Sequence, residues 1–295
     1  MRAFFILRTR RIFMKQLPEW AITYLHRMRL EPQEPDFPFL QAICRAHMQV
    51  FPYENVSKLI FFEQKSSDKL VPTPEEYVAN AVRYDMGGTC FANNGSLLAL
   101  LRALGYQGHL MPLSPTHMAI LIRDLLPNDE PVYVDMGAAA PVFAPVALHS
   151  AAEQEIAFGF ESVRIVRDPV QPERFRFLRF RRGELVSDRW NFDPSEAKEI
   201  HDFSESVALT FQPDATYMGC LRVQLYQLDR GRSLSLLNNS LQIMLENGTE
   251  EKILLHSLDE IEAVAAEEFG LPRLPVREAI SILQNKGIDV FAPKD

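Results

Sequence analysis

The sequence predicts an α+β protein whose helices lie at both ends of the chain and whose strands fill its middle. Three observations predict this class: apolar residues recur at helical spacing from residue 17, short β-rich runs begin at residue 117, and capped helical patterns return after residue 257. Of the 295 residues, 47% are hydrophobic and 24% are charged, which is enough to bury a large core. Because one core rarely serves a chain this long, we expect two or three substructures packed around a cleft.

Helices are predicted for the first hundred residues. Two stretches have apolar residues three or four positions apart: Leu17, Trp20, Ala21, Tyr24, Leu25 and Met28, then Leu40, Ile43, Cys44 and His47. Prolines then break the pattern, so residues 51–59 are interpreted as an extended connector that carries the polar pair Glu54 and Asn55. A further helix begins at Cys90, and Gly105 is its expected stop.

Strands are predicted for the middle of the chain, and helices close it. The β-rich runs 117–122 and 132–135 are separated by turn-forming residues, which favours a hairpin or neighbouring strands. Further strand patterns follow, and a hairpin is predicted around residues 229–231. Ser257 and Glu260 match a capping box that opens the closing helical region.

Composition and charge exclude several functional classes. The 31 basic and 39 acidic side chains give a net charge of −8, which disfavours a nucleic-acid binder. The three cysteines are far apart and form no C-x-x-C pair, as expected in a reducing compartment. No run of about 18 apolar residues could cross a membrane, so we expect a cytoplasmic protein. Residues 1–13 contain four arginines and no acid, and we expect translation to start at Met14, with 1–13 a non-native extension.

Cys90 is the first candidate for chemistry. A thiol attacks as its thiolate, and a helix N-terminus supplies partial positive charge and free backbone N–H groups beside it. Gly87 and Gly88 allow a sharp turn and leave the thiol open to a substrate. A cysteine that opens a helix can also be a buried, inert residue, and local sequence leaves this alternative open.

His117 and Asp135 complete a possible Cys-His-Asp set. His117 enters one predicted strand and Asp135 leaves the next, so pairing of the two strands brings the side chains together. The carboxylate would fix the ring tautomer, and the ring would take the proton of Cys90. Taken singly, His117 could be a hydrogen-bonded core histidine and Asp135 a turn cap.

Four motifs in order resemble those of the arylamine N-acetyltransferase family. They are Phe51-Pro52-Tyr53-Glu54-Asn55, Gly87-Gly88-Thr89-Cys90-Phe91 with Asn94, Thr116-His117-Met118, and Val134-Asp135-Met136-Gly137 with Pro141. The region from Leu221 to Leu245 and the closing Ser-Leu-Asp-Glu-Ile…Phe-Gly-Leu segment look like the third domain of that family. The resemblance therefore spans about residues 14–271.

The resemblance implies a fold with three domains. These are a helical domain at 14–105 carrying the nucleophile, an antiparallel β-barrel at 106–205 carrying His and Asp, and an α/β lid at 206–295. The arrangement of the site would be cysteine-protease-like, as in papain and transglutaminases.

The resemblance also implies a reaction and its residues. Acetyl-CoA would be the acyl donor, and an arylamine, arylhydroxylamine or hydrazine the acceptor, in a ping-pong transfer without a metal. Cys90 would be the acylated nucleophile, His117 the general base and later acid, and Asp135 the orienting carboxylate. The CoA-contacting residues are not assigned.

This chain departs from the family pattern at several positions. The family has Arg four residues before the cysteine and Glu two after it, where this chain has Met86 and Ala92. We expect Arg83 to be the local substitute that pairs with Glu54. Small residues at 138–140 replace a bulky aromatic, which predicts a roomier acceptor pocket. An amide synthase with a larger substrate, a hydrolase or protease, and a decayed binding protein remain alternatives.

Other charged and metal-binding residue types give weaker signals. Five arginines at 174, 176, 179, 181 and 182 could attract CoA phosphates, but a solvated sheet face is favoured. No glycine-rich phosphate loop and no histidine pair at ligand spacing is present, so no metal is predicted. Cys44 and Cys220 are interpreted as small buried hydrophobes, and Asn94 either bonds a neighbouring loop or is solvated.

Overall fold

The computed structural model describes residues 17–64, 70–150 and 154–292. The expected start extension 1–13 and Met14 lie outside the described residues. Within these ranges, no helix has the length and apolar character needed to span a bilayer.

Of the eight α-helices in the described residues, five lie before residue 105, one lies at 204–210 between two groups of strands, and two follow the last strand. They are α1 (Glu19–Arg27), α2 (Phe37–Val50), α3 (Val56–Gln64), α4 (Pro74–Tyr84), α5 (Cys90–Ala103), α6 (Ser204–Thr210), α7 (Leu258–Ala263) and α8 (Val276–Asn285) among the described residues. Local sequence explains several of their starts: Asp36 caps α2 by accepting from Phe39 N at 2.7 Å, and Thr73 and Glu76 form a reciprocal capping box on α4.

The strands come mostly from the middle of the chain, as predicted. They are β1 (Tyr53–Glu54), β2 (Gln107–Ser114), β3 (His117–Arg123), β4 (Val132–Val134), β5 (Val146–Ala147), β6 (Glu155–Phe158), β7 (Glu161–Arg167), β8 (Phe175–Arg181), β9 (Glu184–Phe192), β10 (Arg222–Gln227), β11 (Arg232–Leu237), β12 (Ser240–Leu245) and β13 (Glu250–Leu254). The predicted pairing of the His117 and Asp135 runs is confirmed, because β3 and β4 are antiparallel neighbours. The hairpin at 229–231 is also confirmed, and Gly231 adopts a positive φ of 58° there.

The strands form three antiparallel sheets. Their orders are β2-β3-β4-β5, β6-β7-β8-β9 and β1-β10-β11-β12-β13. The third sheet links an early segment of the chain to a late one, because β1, which precedes the nucleophile, pairs with β10.

The predicted closed barrel is not confirmed in the described residues, where the middle strands form two four-stranded sheets. At the outer edge of β2, Leu110 exchanges two backbone hydrogen bonds with Lys198, of 3.1 and 2.8 Å. Pro112, two residues further, faces the same edge and has no N–H to donate. The edge of β2 is therefore met by an isolated bridge and not by a continuous ladder that would close a barrel.

Two hydrophobic clusters hold these layers together. The larger contains the buried faces of the helices and of the five-stranded sheet. The smaller lies between the two four-stranded sheets and contains Met111, Leu121, Tyr133, Ile165, Phe177 and Phe192 among others. Burial of this apolar surface fixes β3 and β4, and with them the two strand ends that carry His117 and Asp135.

Asp85 ties three distant segments together just before the nucleophile. It is buried, and its Oδ1 accepts from Arg27 Nη2 of α1 at 3.0 Å. Arg273, between α7 and α8, donates its backbone N–H to Asp85 Oδ2 at 3.0 Å and its guanidinium to both carboxylate oxygens. Burial alone would raise the pKa of Asp85, but the hydrogen bonds from Arg273 and Arg27 hold it below its ordinary value.

Replacing Asp85 with Asn should lower the free energy of unfolding at neutral pH by about 1 to 3 kcal/mol, because hydrogen bonds to a charged group are lost. Arg273 is 53% exposed, so solvent screens its share of this stabilisation. Because the pKa of Asp85 is lower in the folded protein, its carboxylate stabilises the fold at pH values above its unfolded pKa of about 3.9. This stabilisation is lost as the pH falls through the folded pKa. Urea denaturation should therefore show the difference at pH 7 and its disappearance in acid. Asp289→Asn changes an exposed acid and is the matched control. An unchanged urea midpoint in Asp85→Asn would contradict a stabilising role for the contacts of Asp85 with Arg27 and Arg273.

Candidate active site

Cys90 is the first residue of α5 and is buried, with an exposed fraction of 5%. Thr89 takes the N-cap position in an extended conformation but makes no side-chain cap. The Thr89 hydroxyl therefore does not occupy the N–H groups in the first turn of α5. A helix N-terminus that stabilises an anion needs such N–H groups to be available. The Cys90 thiol donates to the carbonyl oxygen of Thr116 at 3.5 Å, which places the sulfur beside the start of β3.

Glycines let the backbone close around this cysteine. A Cβ at Gly137 would lie 2.4 Å from the Cα of Cys90, and a Cβ at Gly87 would lie 2.0 Å from the carbonyl oxygen of Pro52. Either contact is far below van der Waals distance, so both positions need glycine for close approach. Gly137 thus packs the turn after Asp135 directly onto the nucleophile, while Gly87, which was predicted to shape the turn before Cys90, packs that turn onto Pro52.

The structure brings together the three side chains predicted from sequence. The Nε2 of His117 hydrogen-bonds the Oδ2 of Asp135 at 2.8 Å, and the Cys90 thiol lies beside the same residue, at the carbonyl oxygen of the preceding Thr116. Because Nε2 is used by the carboxylate, Nδ1 is the ring nitrogen left to face the thiol. All three residues are buried, with exposed fractions of 5%, 5% and 1% for Cys90, His117 and Asp135.

The electrostatics favour a protonated ring. Burial by itself opposes the charged form, but the Asp135 carboxylate and the Cys90 side chain raise the pKa of His117 to about 10. An imidazolium at neutral pH is the partner that a neighbouring thiolate needs. The arrangement can therefore hold a thiolate-imidazolium pair.

Asp135 is surrounded by hydrogen-bond donors. The Tyr133 hydroxyl donates to Oδ2 at 2.8 Å, while Asn94 Nδ2 and Gly137 N donate to Oδ1 at 2.9 and 2.8 Å. With His117, four groups hold the Asp135 carboxylate in one orientation, and each of them can donate a hydrogen bond to it. The sequence analysis did not identify Tyr133 as a site residue, although it lies two residues before Asp135 and therefore on the same face of the strand.

Asn94 bonds the neighbouring loop, so the first of its two interpretations holds. Besides its contact to Asp135, it donates to the carbonyl oxygen of Met118 at 2.7 Å and accepts from Met136 N at 2.8 Å. One buried amide therefore links α5 to the strands that carry both His117 and Asp135.

Trp190 of β9 was also missed. Its ring stacks on His117 with centroids 3.9 Å apart and an interplanar angle of 6°. This contact covers one face of the imidazole and restricts its rotation. No local signal marks this tryptophan, because its position depends on how two separate sheets pack.

The expected pairing of Arg83 with Glu54 is wrong. Arg83 is exposed and stacks over the Tyr84 ring, 5.0 Å from its centroid. Glu54 is buried and instead accepts from Ser57 N and Oγ at 2.8 and 2.7 Å and from Gly87 N at 3.1 Å. Burial raises the pKa of Glu54, while these hydrogen bonds oppose that rise. Backbone and hydroxyl donors thus replace the missing arginine.

Glu54 and Asn55 divide the connector's contacts between two neighbours. Glu54 reaches the turn before Cys90 through the backbone N–H of Gly87. Asn55 instead bonds the segment that enters the five-stranded sheet: its Nδ2 donates to the carbonyl oxygens of Tyr217 and Cys220, and its Oδ1 accepts from Arg222 N at 2.8 Å.

A cavity of about 700 Å³ opens onto the Cys-His-Asp set. Cys90, His117, Gly137, Ala138 and Trp190 line one part of it. The other part is lined by Tyr53, Lys58 and the segment 209–217. Its volume lies within the range of sites for small molecules, and Ala138 adds no bulk beside the cysteine.

The five arginines between 174 and 182 are used in ion pairs, so the sheet-face interpretation holds. Their carboxylate partners are Glu196 for Arg174, Asp188 for Arg176, Glu161 for Arg179, and Glu250 for Arg181 and Arg182. In the parts of the chain that the structure describes, no group of three His, Cys, Asp or Glu side chains could hold a metal ion.

The other two cysteines differ from each other. Cys44 is fully buried, as predicted, and burial raises the pKa of its thiol. Cys220 was predicted to be buried, but it is only partly so, and its thiol donates to the carbonyl oxygen of Thr216 at 3.3 Å. It lies just before β10, where the chain enters the sheet from a surface turn.

Comparisons with known proteins agree on one family. A family model described as N-acetyltransferase matches residues 36–276. Among solved structures, arylamine N-acetyltransferase from Salmonella typhimurium is similar with a TM-score of 0.73 and 19% identity, covering 91% of this chain and 99% of that chain. The enzyme from M. tuberculosis gives 0.72 and 20%, covering 89% and 98%. Mycobacterium marinum arylamine N-acetyltransferase in complex with CoA gives 0.68 and 20%, covering 90% and 97%. A search of curated proteins finds no match.

Proposed function

The chain belongs to the arylamine N-acetyltransferase family of acetyltransferases, and we propose that it transfers an acetyl group from acetyl-CoA to an arylamine, arylhydroxylamine or hydrazine through a Cys90 thioester. One observation carries the proposal: His117 is fixed by Asp135 through Nε2 and lies beside a thiol that opens onto the same cavity. The similarity to a relative solved with CoA supports the donor.

In the first half-reaction, the Cys90 sulfur attacks the carbonyl carbon of acetyl-CoA. A carbon–sulfur bond to Cys90 forms and the bond to the CoA sulfur breaks. The proton that left Cys90 resides on His117 Nδ1 and passes to the departing CoA sulfur. The backbone N–H of Cys90, free at the helix start, is the proposed donor to the oxyanion. One thioester replaces another, so the protein mainly supplies the thiolate and positioning.

In the second half-reaction, the acceptor nitrogen attacks the Cys90 thioester. A carbon–nitrogen bond forms, the bond to Sγ breaks, and one nitrogen-bound proton passes through His117 to the sulfur. Buried Asp135 keeps Nε2 as the N–H that faces it, so Nδ1 can accept and return the proton in each half-reaction. Neither half-reaction requires a metal.

The proposal extends to the architecture. It places a helical unit at 14–105, a strand-rich unit at 106–205 and an α/β unit at 206–295, with a cysteine-protease-like site between the first two. The pairing of a nucleophile at a helix start with His and Asp on adjacent strands supports this arrangement.

Mixing the wild-type protein with acetyl-CoA should add one acetyl group, which peptide mapping should place on Cys90. The structure gives the physical reason: Cys90 combines a helix N-terminus, an imidazolium and an open cavity, whereas Cys44 is fully buried. Cys44 and Cys220 serve as internal controls and should stay unmodified. Adding an arylamine should discharge the adduct and yield the N-acetyl product. An unmodified protein, or release of acetate only, would contradict acetyl transfer.

A further inference from the structure

Lys58 is a buried lysine beside the candidate active site that the mechanism above does not use. It lies on α3, and its exposed fraction is 5%. None of the carboxylates in residues 17–64, 70–150 and 154–292 lies within 4.0 Å of its ammonium. Buried lysines are rare unless their charge is paired, so this one calls for a role.

The surroundings of Lys58 hold its ammonium in place without neutralising it. Its Nζ donates to the Thr210 hydroxyl oxygen at 2.7 Å and lies 4.1 Å from the centroid of the Phe211 ring. The Thr210 hydroxyl donates in turn to the carbonyl oxygen of Val207 at 2.8 Å, which keeps its oxygen turned toward the ammonium as an acceptor. An ammonium has three N–H donors, so this arrangement leaves donor capacity for another group.

Lys58 shares its cavity with the nucleophile. It lines the 700 Å³ cavity together with Cys90, His117 and Thr210, and its charge interacts with that of Cys90. A smaller cavity of about 20 Å³ is lined by both Lys58 and Ala92. Since position 92 carries a methyl group, it supplies no carboxylate to the ammonium there.

Lys58 keeps most of its charge at neutral pH. Burial lowers its pKa to about 8, and the negative charge of Cys90 works against that lowering. Folding therefore removes this cation from water and fixes its position before a substrate binds. An anion that enters the cavity can pair with an ammonium that is already desolvated and held in place.

We propose that Lys58 binds a carboxylate on the substrate, so that the enzyme favours an acceptor or an acyl chain that carries one. This inference rests on the proposed function, because it concerns the cavity in which Cys90 is acylated. Two kinds of substrate could supply this carboxylate: an aromatic amine that bears one, or an acyl chain derived from a dicarboxylic acid, whose free end carries one. The phosphates of CoA fit less well, since the pantetheine arm separates them from the thioester carbon that must meet Cys90.

Alkylation of Cys90 by two small reagents tests the charge of this subsite without any acetyl transfer. Iodoacetate is anionic and iodoacetamide is neutral, and both need the same thiolate. In Lys58→Met, the ratio of the iodoacetate rate to the iodoacetamide rate should fall about 10-fold or more relative to wild type. Lys58→Arg should largely preserve the ratio. Lys286→Met is the matched control, because Lys286 also lies over an aromatic ring, 4.3 Å from the centroid of Phe62, but outside this cavity.

The outcomes separate two roles of Lys58. If both rates fall equally in Lys58→Met, the residue only supports the thiolate, and the carboxylate subsite is overturned. If only the anionic reagent slows, the subsite is supported, whether or not the wild-type protein forms an acetyl adduct. Failure of the adduct experiment alone would instead reject the proposed function.

A measurement on the wild-type protein covers the case in which Lys58→Met does not fold. Benzoate should protect Cys90 from iodoacetamide at concentrations where benzamide, which has the same shape and no charge, does not. Equal protection, or none by either compound, would overturn the proposal.

Matched substrates then identify the source of the carboxylate. The acceptor arm compares 4-aminobenzoate with its methyl ester, and the donor arm compares succinyl-CoA with butyryl-CoA. A preference for the charged member of about 10- to 100-fold in kcat/KM is expected in one arm, and it should be lost in Lys58→Met. No preference in either arm would overturn the proposal.

Discussion

Cys90→Ala should abolish acetyl transfer, lowering kcat/KM by about 10⁴-fold or more. The thiol is the only group of the Cys-His-Asp set that can carry an acetyl group as a thioester, and the remaining residues can only bind and polarise the substrates. The variant should also show no acetyl adduct after mixing with acetyl-CoA. Steady-state turnover of acetyl-CoA with an arylamine, followed by CoA release, measures the first effect, and intact mass measures the second.

Two further variants make this test specific. Cys90→Ser keeps a nucleophilic atom of similar size, but a hydroxyl beside His117 does not ionise as a thiol does, so we expect it to be nearly as impaired as Cys90→Ala. Cys220→Ser is the matched control: it changes a thiol that donates to the Thr216 carbonyl into a hydroxyl that can do the same. It should keep its turnover. Substantial activity in Cys90→Ala would place the nucleophile elsewhere and reject the mechanism.

The Cys-His-Asp set could be predicted from sequence because each of the three residues lies next to a local signal in its own helix or strand. Cys90 follows two glycines at a helix start, and His117 and Asp135 lie at opposite ends of two runs that can pair. The pairing of β3 with β4 brings His117 and Asp135 together. Residue type and strand period together made that pairing the natural expectation.

The supporting residues were harder to predict because their roles depend on packing between elements. Trp190 reaches His117 only because the sheet of β9 packs against that of β3, and nothing near Trp190 in the sequence indicates this. Lys58 lies on α3 next to apolar residues, and its burial depends on the direct contact with Thr210 of α6. Both roles depend on contacts more than 70 residues apart in the chain.

The wrong expectation for Glu54 came from reasoning about its partner by residue type alone. Glu54 was assigned a charged partner, yet it is satisfied by Ser57 and by the N–H of Gly87, because backbone donors at a turn bind a carboxylate as well as a guanidinium can. The closed barrel was expected from the family resemblance. It is not confirmed in the described residues, where Pro112 removes a backbone donor from the edge that would have to be paired.

The second large effect is expected for Asp135→Asn, which should lower kcat by about 10³- to 10⁴-fold with little loss of binding. The variant keeps the size of the side chain, but one carboxylate oxygen becomes an NH₂ group. The four groups around it, from His117, Tyr133, Asn94 and Gly137, are all donors. An amide facing Nε2 with its NH₂ forces His117 to carry its proton on Nδ1, which then faces the thiol as a donor and cannot accept its proton.

The pH dependence of Cys90 alkylation separates this tautomer effect from general damage to the fold. In the wild-type protein Asp135 helps to raise the pKa of His117 to about 10, so the ring stays charged at neutral pH and iodoacetamide should react rapidly below pH 7. In Asp135→Asn the imidazolium is no longer stabilised, and the rate should rise with pH toward the ionisation of an ordinary thiol near about 8.5. Tyr133→Phe removes one donor to the same oxygen while leaving the carboxylate charge, and should retain the wild-type profile. A wild-type profile in Asp135→Asn would show that the carboxylate does not control the proton of His117, and the acyl-transfer mechanism would then lose its base.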